Sequence, residues 1–230
     1  MSCQVPKTAR LEIKFVAKES EVDTLRQWLK LHTACFYTPF PERWVNNIYF
    51  DTYDYFAYSE NLSGVSSRTK VRYRWYGLST YPQSGTLEIK CKRNCFGWKL
   101  RFHAKSSPAT DTSSWREICK RLSQQLEPEA KLWLDKNPQP VMLNRYFREY
   151  YVTRDNKIRV TIDTHQNVFD QRYKSRPNVK HAANLPKTLV LEIKFDRHDR
   201  DLASQIVQGL PLRLSRNSKY MIAVQSIVGF

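Results

Sequence analysis

Arginine, lysine and glutamate recur at alternate positions in several short segments of this 230-residue chain, and its chemistry is concentrated there. One segment presents Arg10, Glu12 and Lys14. A second presents Lys70, Arg72 and Arg74, and a third Glu88, Lys90 and Lys92. Later segments present Arg159 with Asp163, then Glu192 with Lys194. A period of two places each set on one face of a β-strand. Guanidinium forks match phosphate oxygens in bidentate geometry. The glutamates would oppose phosphate unless they hold a divalent cation that bridges to it. The pattern therefore reads as a grip on a phosphate chain.

The opposite faces are apolar: Leu11, Ile13 and Phe15; Val71, Tyr73 and Trp75; Leu87 and Ile89; Ile158, Val160 and Ile162; Leu191, Ile193 and Phe195. A sheet with one solvated, charged face is the plainer reading. Such a face usually mixes in Ser, Thr and Gln, whereas here Arg or Lys recurs strand after strand. If the charged faces turn inward, the strands close into a cationic tube and amphipathic helices cover the outside. Two unit charges 4 Å apart repel by about 4 kcal/mol at an effective dielectric near 20. A tube with so many cations must be wet or filled by a polyanion.

The elements that would position these residues follow from the same periodicity. Strands are predicted over Arg10–Phe15, Asn46–Asp51, Lys70–Trp75, Thr86–Lys92, Leu143–Thr153, Lys157–Asp163 and Leu189–Phe195. Helices are predicted over Glu21–His32 with Ser20 as cap, and over Trp115–Leu126 with Ser114 and Glu117 as a capping box. Others run from Pro128 to about Asp135, from Asp199 to Gln208, and from Asn217 or Ser218 onward. Lys105–Ser114 and Gln171–Lys187 read as loops, the second basic and mobile. The expected fold is α+β: an antiparallel β-barrel tunnel of about eight strands, with helices packed on the outside, as one domain over residues 1–230.

Net charge is +16 with a pI near 9.7, which calls for a polyanionic partner. No apolar run approaches the roughly 20 residues of a membrane helix, and the first residues lack a signal-peptide core, so a cytoplasmic location is the default. The five cysteines (Cys3, Cys35, Cys91, Cys95, Cys119) have no zinc-site spacing and read as reduced thiols.

Taken in order, these segments resemble the VTC domain, the polyphosphate polymerase module of the vacuolar transporter chaperone complex and one of the triphosphate tunnel metalloenzymes. The carrying segments are Arg10-Leu-Glu-Ile-Lys14, Asn47-Ile-Tyr-Phe-Asp-Thr52, Lys70-Val-Arg-Tyr-Arg-Trp-Tyr-Gly77 and Leu87-Glu-Ile-Lys-Cys-Lys92. Arg145-Tyr-Phe-Arg-Glu-Tyr150, Ile158-Arg-Val-Thr-Ile-Asp-Thr164, Leu191-Glu-Ile-Lys194 and Ser218-Lys-Tyr220 complete them. The resemblance implies that Lys14, Arg72, Arg74, Lys90, Arg148 and Lys219 hold the phosphate chain at the reacting centre. Arg10, Lys92, Tyr146, Arg159, Lys194 and Ser218 would add phosphate contacts. Glu192 would be the principal ligand of Mn²⁺ or Mg²⁺, with Glu88 and Glu12 in support. The sister branch, the CYTH triphosphatases, opens on ExExK; this chain has RxExK, which favours the VTC branch and removes one potential ligand. Lys92 stands where the eukaryotic polymerases carry histidine. The accessory sensing domain and membrane helices of the eukaryotic complex have no counterpart here. The resemblance therefore extends to the chemistry and not to polymer export, and a membrane partner is left open.

The implied reaction moves the γ-phosphoryl of ATP to a polyphosphate chain and releases ADP, which needs positioning and charge neutralisation more than a covalent nucleophile. The five histidines need no role in it. The competing readings are hydrolysis of tripolyphosphate or a nucleoside triphosphate, and a polyphosphate-binding module without turnover. Nucleic-acid binding is disfavoured, because Tyr73, Trp75 and Tyr76 are expected on the face opposite the arginines.

Overall fold

Alternating sequence becomes one antiparallel sheet of eight strands. The computed structural model describes residues 5–212 and 218–228. The strands are β1 (Leu11–Lys18), β2 (Arg43–Asp51), β3 (Ser67–Tyr76), β4 (Gly85–Arg93), β5 (Phe96–Ala104), β6 (Gln139–Val152), β7 (Arg159–Asp170) and β8 (Thr188–Phe195). Their spatial order is β1-β8-β7-β6-β2-β3-β4-β5. The two edges, β1 and β5, meet at one bridge, where Arg10 and Gly97 exchange a pair of N–H···O bonds of 3.0 Å each. The sheet thus curls into a tunnel that is pinned at one point and has no continuous ladder along the seam.

Strand β5 and helix α2 (Phe56–Leu62) are absent from the sequence reading, and β7 runs seven residues past its expected end at Asp163; the other described elements fall within a few residues of it. The remaining helices are α1 (Val22–Leu31), α3 (Trp115–Gln125), α4 (Pro128–Lys136), α5 (Arg200–Gln208) and α6 (Lys219–Val228). Ser114 and Glu117 make the expected capping box: the Glu117 amide donates to Ser114 Oγ at 3.3 Å, and the Ser114 amide to Glu117 Oε2 at 2.8 Å. The expected Ser20 cap is not made. Ser20 sits inside a 3₁₀ turn, Glu19–Glu21, and the Glu21 carboxylate instead accepts the Lys18 amide at 3.1 Å. Asn217, one expected start for the last helix, lies outside the described residues, as does Cys3. The other four cysteines form no disulfide with one another.

The outer faces are covered as the inward-facing reading requires. Trp115, Ile118 and Leu122 of α3, with Ala130 and Leu134 of α4, pack on Val71, Tyr73, Trp75, Leu87 and Ile89. Leu25 and Leu29 of α1, with Ala203 and Ile206 of α5, pack on Phe15 and the outer residues of β7 and β8. Leu25 and Leu29 are fully buried, and each such side chain contributes about 1.5–3 kcal/mol. The basic loop after β7, expected to be mobile, is tied down. Gln171 and Asn178 exchange hydrogen bonds of 2.7 and 2.8 Å, and Ala182 bridges to Phe169.

The third cluster holds α2 and α6 against one end of the tunnel. Tyr220, Ala223 and Val224 pack with Ala57, Tyr49, Met142 and Val168. Asp51, fully buried at the end of β2, organises this corner. Its carboxylate accepts the Ala57 amide at 3.0 Å, the Tyr58 amide at 3.2 Å and the Tyr220 hydroxyl. One side chain thereby starts α2 and tethers α6.

Candidate phosphate tunnel

The inner face of the sheet carries the charged residues picked out by the alternation. Lys14, Arg72, Arg74, Lys90, Arg148, Glu12 and Glu192 line one cavity together with Lys219, Ser218, Tyr146, Lys92 and Lys194. Antiparallel register brings them together: Arg72 is opposite Glu88 across β3 and β4, Lys14 opposite Glu192 across β1 and β8, and Arg148 opposite Asp163 across β6 and β7.

Each arginine is held in a fixed orientation. Both Nε and Nη2 of Arg72 donate to Glu88 Oε2, and Nη1 donates to the Tyr49 hydroxyl at 3.1 Å. Arg74 donates to Asn47 Oδ1 at 2.7 Å and to the Tyr146 hydroxyl at 3.1 Å. Arg148 forms a fork on Asp163 at 2.5 and 2.7 Å, and Lys219 reaches the same carboxylate at 2.9 Å. Such networks restrict the rotamers of side chains that would otherwise be mobile. Burial would raise the Glu88 pKa, but Arg72, Arg74 and Lys99 outweigh it and hold the carboxyl well below its usual range. Asp163 is lowered in the same way, with Arg148 and Lys219 overcoming burial.

Glu12 and Glu192 form a second centre. Lys14 Nζ lies 2.7 Å from Glu12 and 3.5 Å from Glu192, and Lys194 Nζ lies 2.5 Å from Glu192 and 3.8 Å from Glu12. Lys90 approaches Glu12 at 3.6 Å. Burial works against the Glu192 charge, and Lys194, Lys14 and Lys90 more than offset it. A magnesium-like cation is typically held by one or two carboxylates with waters and substrate phosphates completing the shell. Glu12 and Glu192 fit that requirement. Thr161, opposite Glu192 in register, has a buried hydroxyl without a partner among the described residues, so a polar atom beside the pair stands open. Glu88 fits less well, because an arginine fork from Arg72 engages it, with Lys99 and Arg101 beside it, where Glu12 and Glu192 are engaged mainly by lysines. Among the described residues no three acidic, histidine or cysteine side chains cluster as a ready ligand set.

Two expected contacts sit apart from this centre. Arg10 pairs with Asp196 at 3.3 Å, and Arg159 is exposed; both line the rim of the wider mouth. Sequence reasoning placed Lys70 on the charged face without a named role, and gave no site role to Lys99, Asn47, Tyr49 or Thr161. Lys99 lies on β5, where Lys99, Arg101 and His103 alternate with Trp98, Leu100 and Phe102, a signal present in the sequence. Tyr76 was expected on the face opposite the arginines. It follows Arg72 and Arg74 at period two, so it shares their face and lines the wider mouth; only Tyr73 and Trp75 are turned outward into the core.

Lys70 is a weakly compensated cation. Its Nζ donates to Ser218 Oγ at 2.9 Å, and none of the ion pairs among the described residues involves it. Burial, then Lys90, Lys14, Arg68 and Lys92, put its pKa well below the ordinary 10.5. Lys99 is lowered likewise by burial, Arg72 and Arg74. Between those lowered values and 10.5 the folded protein binds fewer protons than the unfolded chain, so the empty protein gains stability as pH rises through that window. A polyanion favours the charged lysines, so its binding there should take up protons. At a pH inside that window, long-chain polyphosphate is expected to bind with a heat that varies with the ionisation enthalpy of the buffer, and Lys70→Met should reduce that variation. Buffer-independent heats would contradict the lowered lysines.

A model of the VTC domain matches residues 9–228. No curated protein matches the chain. Among solved structures, the putative adenylyl cyclase HpAC1 from Hippeastrum, described as having a dominant triphosphatase activity, is similar with a TM-score of 0.50 at 14% identity, over 96% of this chain and 96% of that one. A putative adenylate cyclase from Vibrio parahaemolyticus is similar at 0.50 and 10% identity, over 94% of this chain and 98% of that one. The PH1819 protein of Pyrococcus horikoshii scores 0.46 at 13% identity, over 93% and 96%. At such identities the likeness concerns the fold alone.

Proposed function

The chain belongs to the VTC domain family, and from that premise we propose that it is a polyphosphate polymerase-type phosphotransferase, moving the γ-phosphoryl of ATP onto a polyphosphate chain inside the tunnel. The observation that carries the reading is the continuity of the cationic passage. The cavity holding Arg68, Lys70, Lys92 and Ser218 and the wider one at the opposite mouth share Glu12, Arg74, Lys90, Lys99, Arg148 and Glu192 as lining. Beyond the Glu12–Glu192 pair, no ion pair among the described residues involves Arg68, Lys70 or Lys92. That stretch suits more phosphate than one triphosphate carries, which favours a polymer over hydrolysis of a short substrate.

In this reading a terminal oxygen of the chain attacks the γ-phosphorus in line. The bond from that phosphorus to the β–γ bridging oxygen breaks, and ADP leaves with the electron pair. The acceptor oxygen is already anionic, so no general base is needed. Arg72, Arg74 and Lys90 neutralise the transferring group from fixed positions, which costs no reorganisation as charge develops. Arg148, Tyr146 and Lys219 hold the adjoining phosphates, while Lys14 and Lys194 keep Glu12 and Glu192 ionised. A divalent Mn²⁺ or Mg²⁺ on Glu192 and Glu12 would supply charge neutralisation to bridged phosphate oxygens.

The test is the product analysis. With ATP, polyphosphate and Mn²⁺ or Mg²⁺, ADP should appear in step with polymer growth. Orthophosphate without growth would replace the reading with hydrolysis, and no turnover would reduce it to binding. Glu192→Gln is expected to cut turnover by about 10²–10³-fold. The variant should still bind tripolyphosphate, because it removes a negative charge from a cationic site.

A further inference from the structure

The two ends of the tunnel are chemically unlike. The narrower end presents lysines, Arg68 and the start of α6, and its rings, Tyr49 and Tyr220, are buried. The wider mouth opens into a cavity of about 1080 Å³ whose rim carries Phe40, Arg43, Tyr76 and Tyr150. Phe40 is 57% exposed and Tyr76 44% exposed, so their rings are left largely uncovered. Arg43 lies with its guanidinium carbon 3.9 Å from the Tyr76 ring centre and 5.2 Å from that of Tyr150. Its Nε donates to the Tyr150 hydroxyl at 3.1 Å, and Phe40 meets Tyr150 edge to face at 5.9 Å. No ion pair among the described residues involves Arg43, so its plane is set by the rings.

On their own strands Tyr76 and Tyr150 lie one inward-facing position beyond the phosphate-gripping arginines. Tyr76 follows Arg74 by two residues on β3, and Tyr150 follows Arg148 by two on β6, with Arg43 directly across from Arg148. Two residues of strand advance about 7 Å. A phosphate held between Arg74 and Arg148 therefore has a ring platform one sugar's length further out, toward solvent. Every nucleobase has a π-face that stacks on such rings, and arginine adds a cation–π contribution. Inorganic triphosphate has nothing to place there.

We infer that the wider mouth is the nucleoside subsite: the Phe40–Arg43–Tyr76–Tyr150 cluster stacks the base of a nucleoside triphosphate while its phosphates point inward to Arg74 and Arg148. The inference rests on the phosphoryl-transfer reading and adds the residues that distinguish a nucleoside triphosphate from inorganic triphosphate. Stacking of one base on aromatic side chains is worth about five- to 150-fold in affinity.

Calorimetric titration of the full chain with ATP and with tripolyphosphate, in the same salt and Mg²⁺, tests it. Tyr76→Ser and Phe40→Ser are each expected to weaken ATP about tenfold and leave tripolyphosphate unchanged, and Tyr76→Phe should retain the wild-type ratio of the two. An equal loss for both ligands, or unaltered ATP affinity in both serine variants, would overturn the subsite. If the unmodified chain binds neither ligand, the phosphate-tunnel reading falls and the subsite with it. Binding of tripolyphosphate but not ATP would overturn both the subsite and ATP as donor, whereas an equal loss for both ligands in the serine variants overturns the subsite alone.

Discussion

Arg72→Ala is expected to reduce turnover by about 10³-fold or more, the scale set by losing a preorganised donor aimed at a transferring phosphoryl group. The same change also leaves the Glu88 carboxylate buried beside Lys99, Arg101 and Arg74 without its fork. Removing one partner of a buried ion pair costs about 3–5 kcal/mol. For a chain of this size each kcal/mol lowers the melting midpoint by roughly 2–4 °C. The single variant should therefore melt roughly 6–20 °C early, and its inactivity alone would be ambiguous. Arg72→Met with Glu88→Gln separates the two effects. The pair keeps the volume, removes the stranded charge and should recover most of the stability without recovering turnover. If the double variant regains activity along with its melting point, Arg72 serves only to hold Glu88. Thermal melts run beside ADP-release assays decide between these outcomes.

Asp51→Ala should produce the largest loss of stability outside the tunnel itself. It deprives the Ala57 and Tyr58 amides and the Tyr220 hydroxyl of a fully buried acceptor. Each unsatisfied group costs about 1–3 kcal/mol, so for the three together a midpoint lowered by about 6–36 °C is expected. Affinity for tripolyphosphate should fall too, although Asp51 touches no substrate. Tyr220 lies in the first turn of α6, next to Ser218 and Lys219, which reach Lys70, Asp163 and the Tyr146 ring. Tyr220→Phe cuts only the tether, so it should weaken tripolyphosphate with a much smaller change in melting. A destabilised Asp51→Ala variant with unaltered affinity would show that α6 keeps its place without the tether.

The inner face of the tunnel was legible because period two forces residues such as Arg72 and Arg74, or Glu192 and Lys194, onto one side whatever the neighbours do. Which carboxylate stands near which cation was not legible, because that depends on register between strands far apart in sequence. The resemblance implied Glu88 as a supporting metal ligand, and the pairing of β3 with β4 puts it on the Arg72 fork. Helix α2 was invisible for a related reason. It follows Tyr55, which has a left-handed backbone at φ 57° and offers no side-chain cap. Its first amides are satisfied by Asp51, six and seven residues back, at no capping spacing that a sequence pattern would show. Strand β5 is different: its alternation was present, and the turn at Asn94, φ 54°, marks the hairpin that starts it.

The pairing of β1 with β8 sets a schedule for biosynthesis. Leu11 lies opposite Phe195, and Phe15 opposite Leu191. The first strand made thus waits roughly 180 residues for its partner, on the order of 10–40 s at about 5–20 residues per second. Through that interval Leu11, Ile13 and Phe15 have neither a sheet neighbour nor the α5 cover, and an unpaired strand edge is a template for other chains. Closure of the tunnel is therefore a late event in the life of each nascent chain, and the interval before it is when a trapping chaperone or a neighbouring ribosome's product competes for the N-terminal strand.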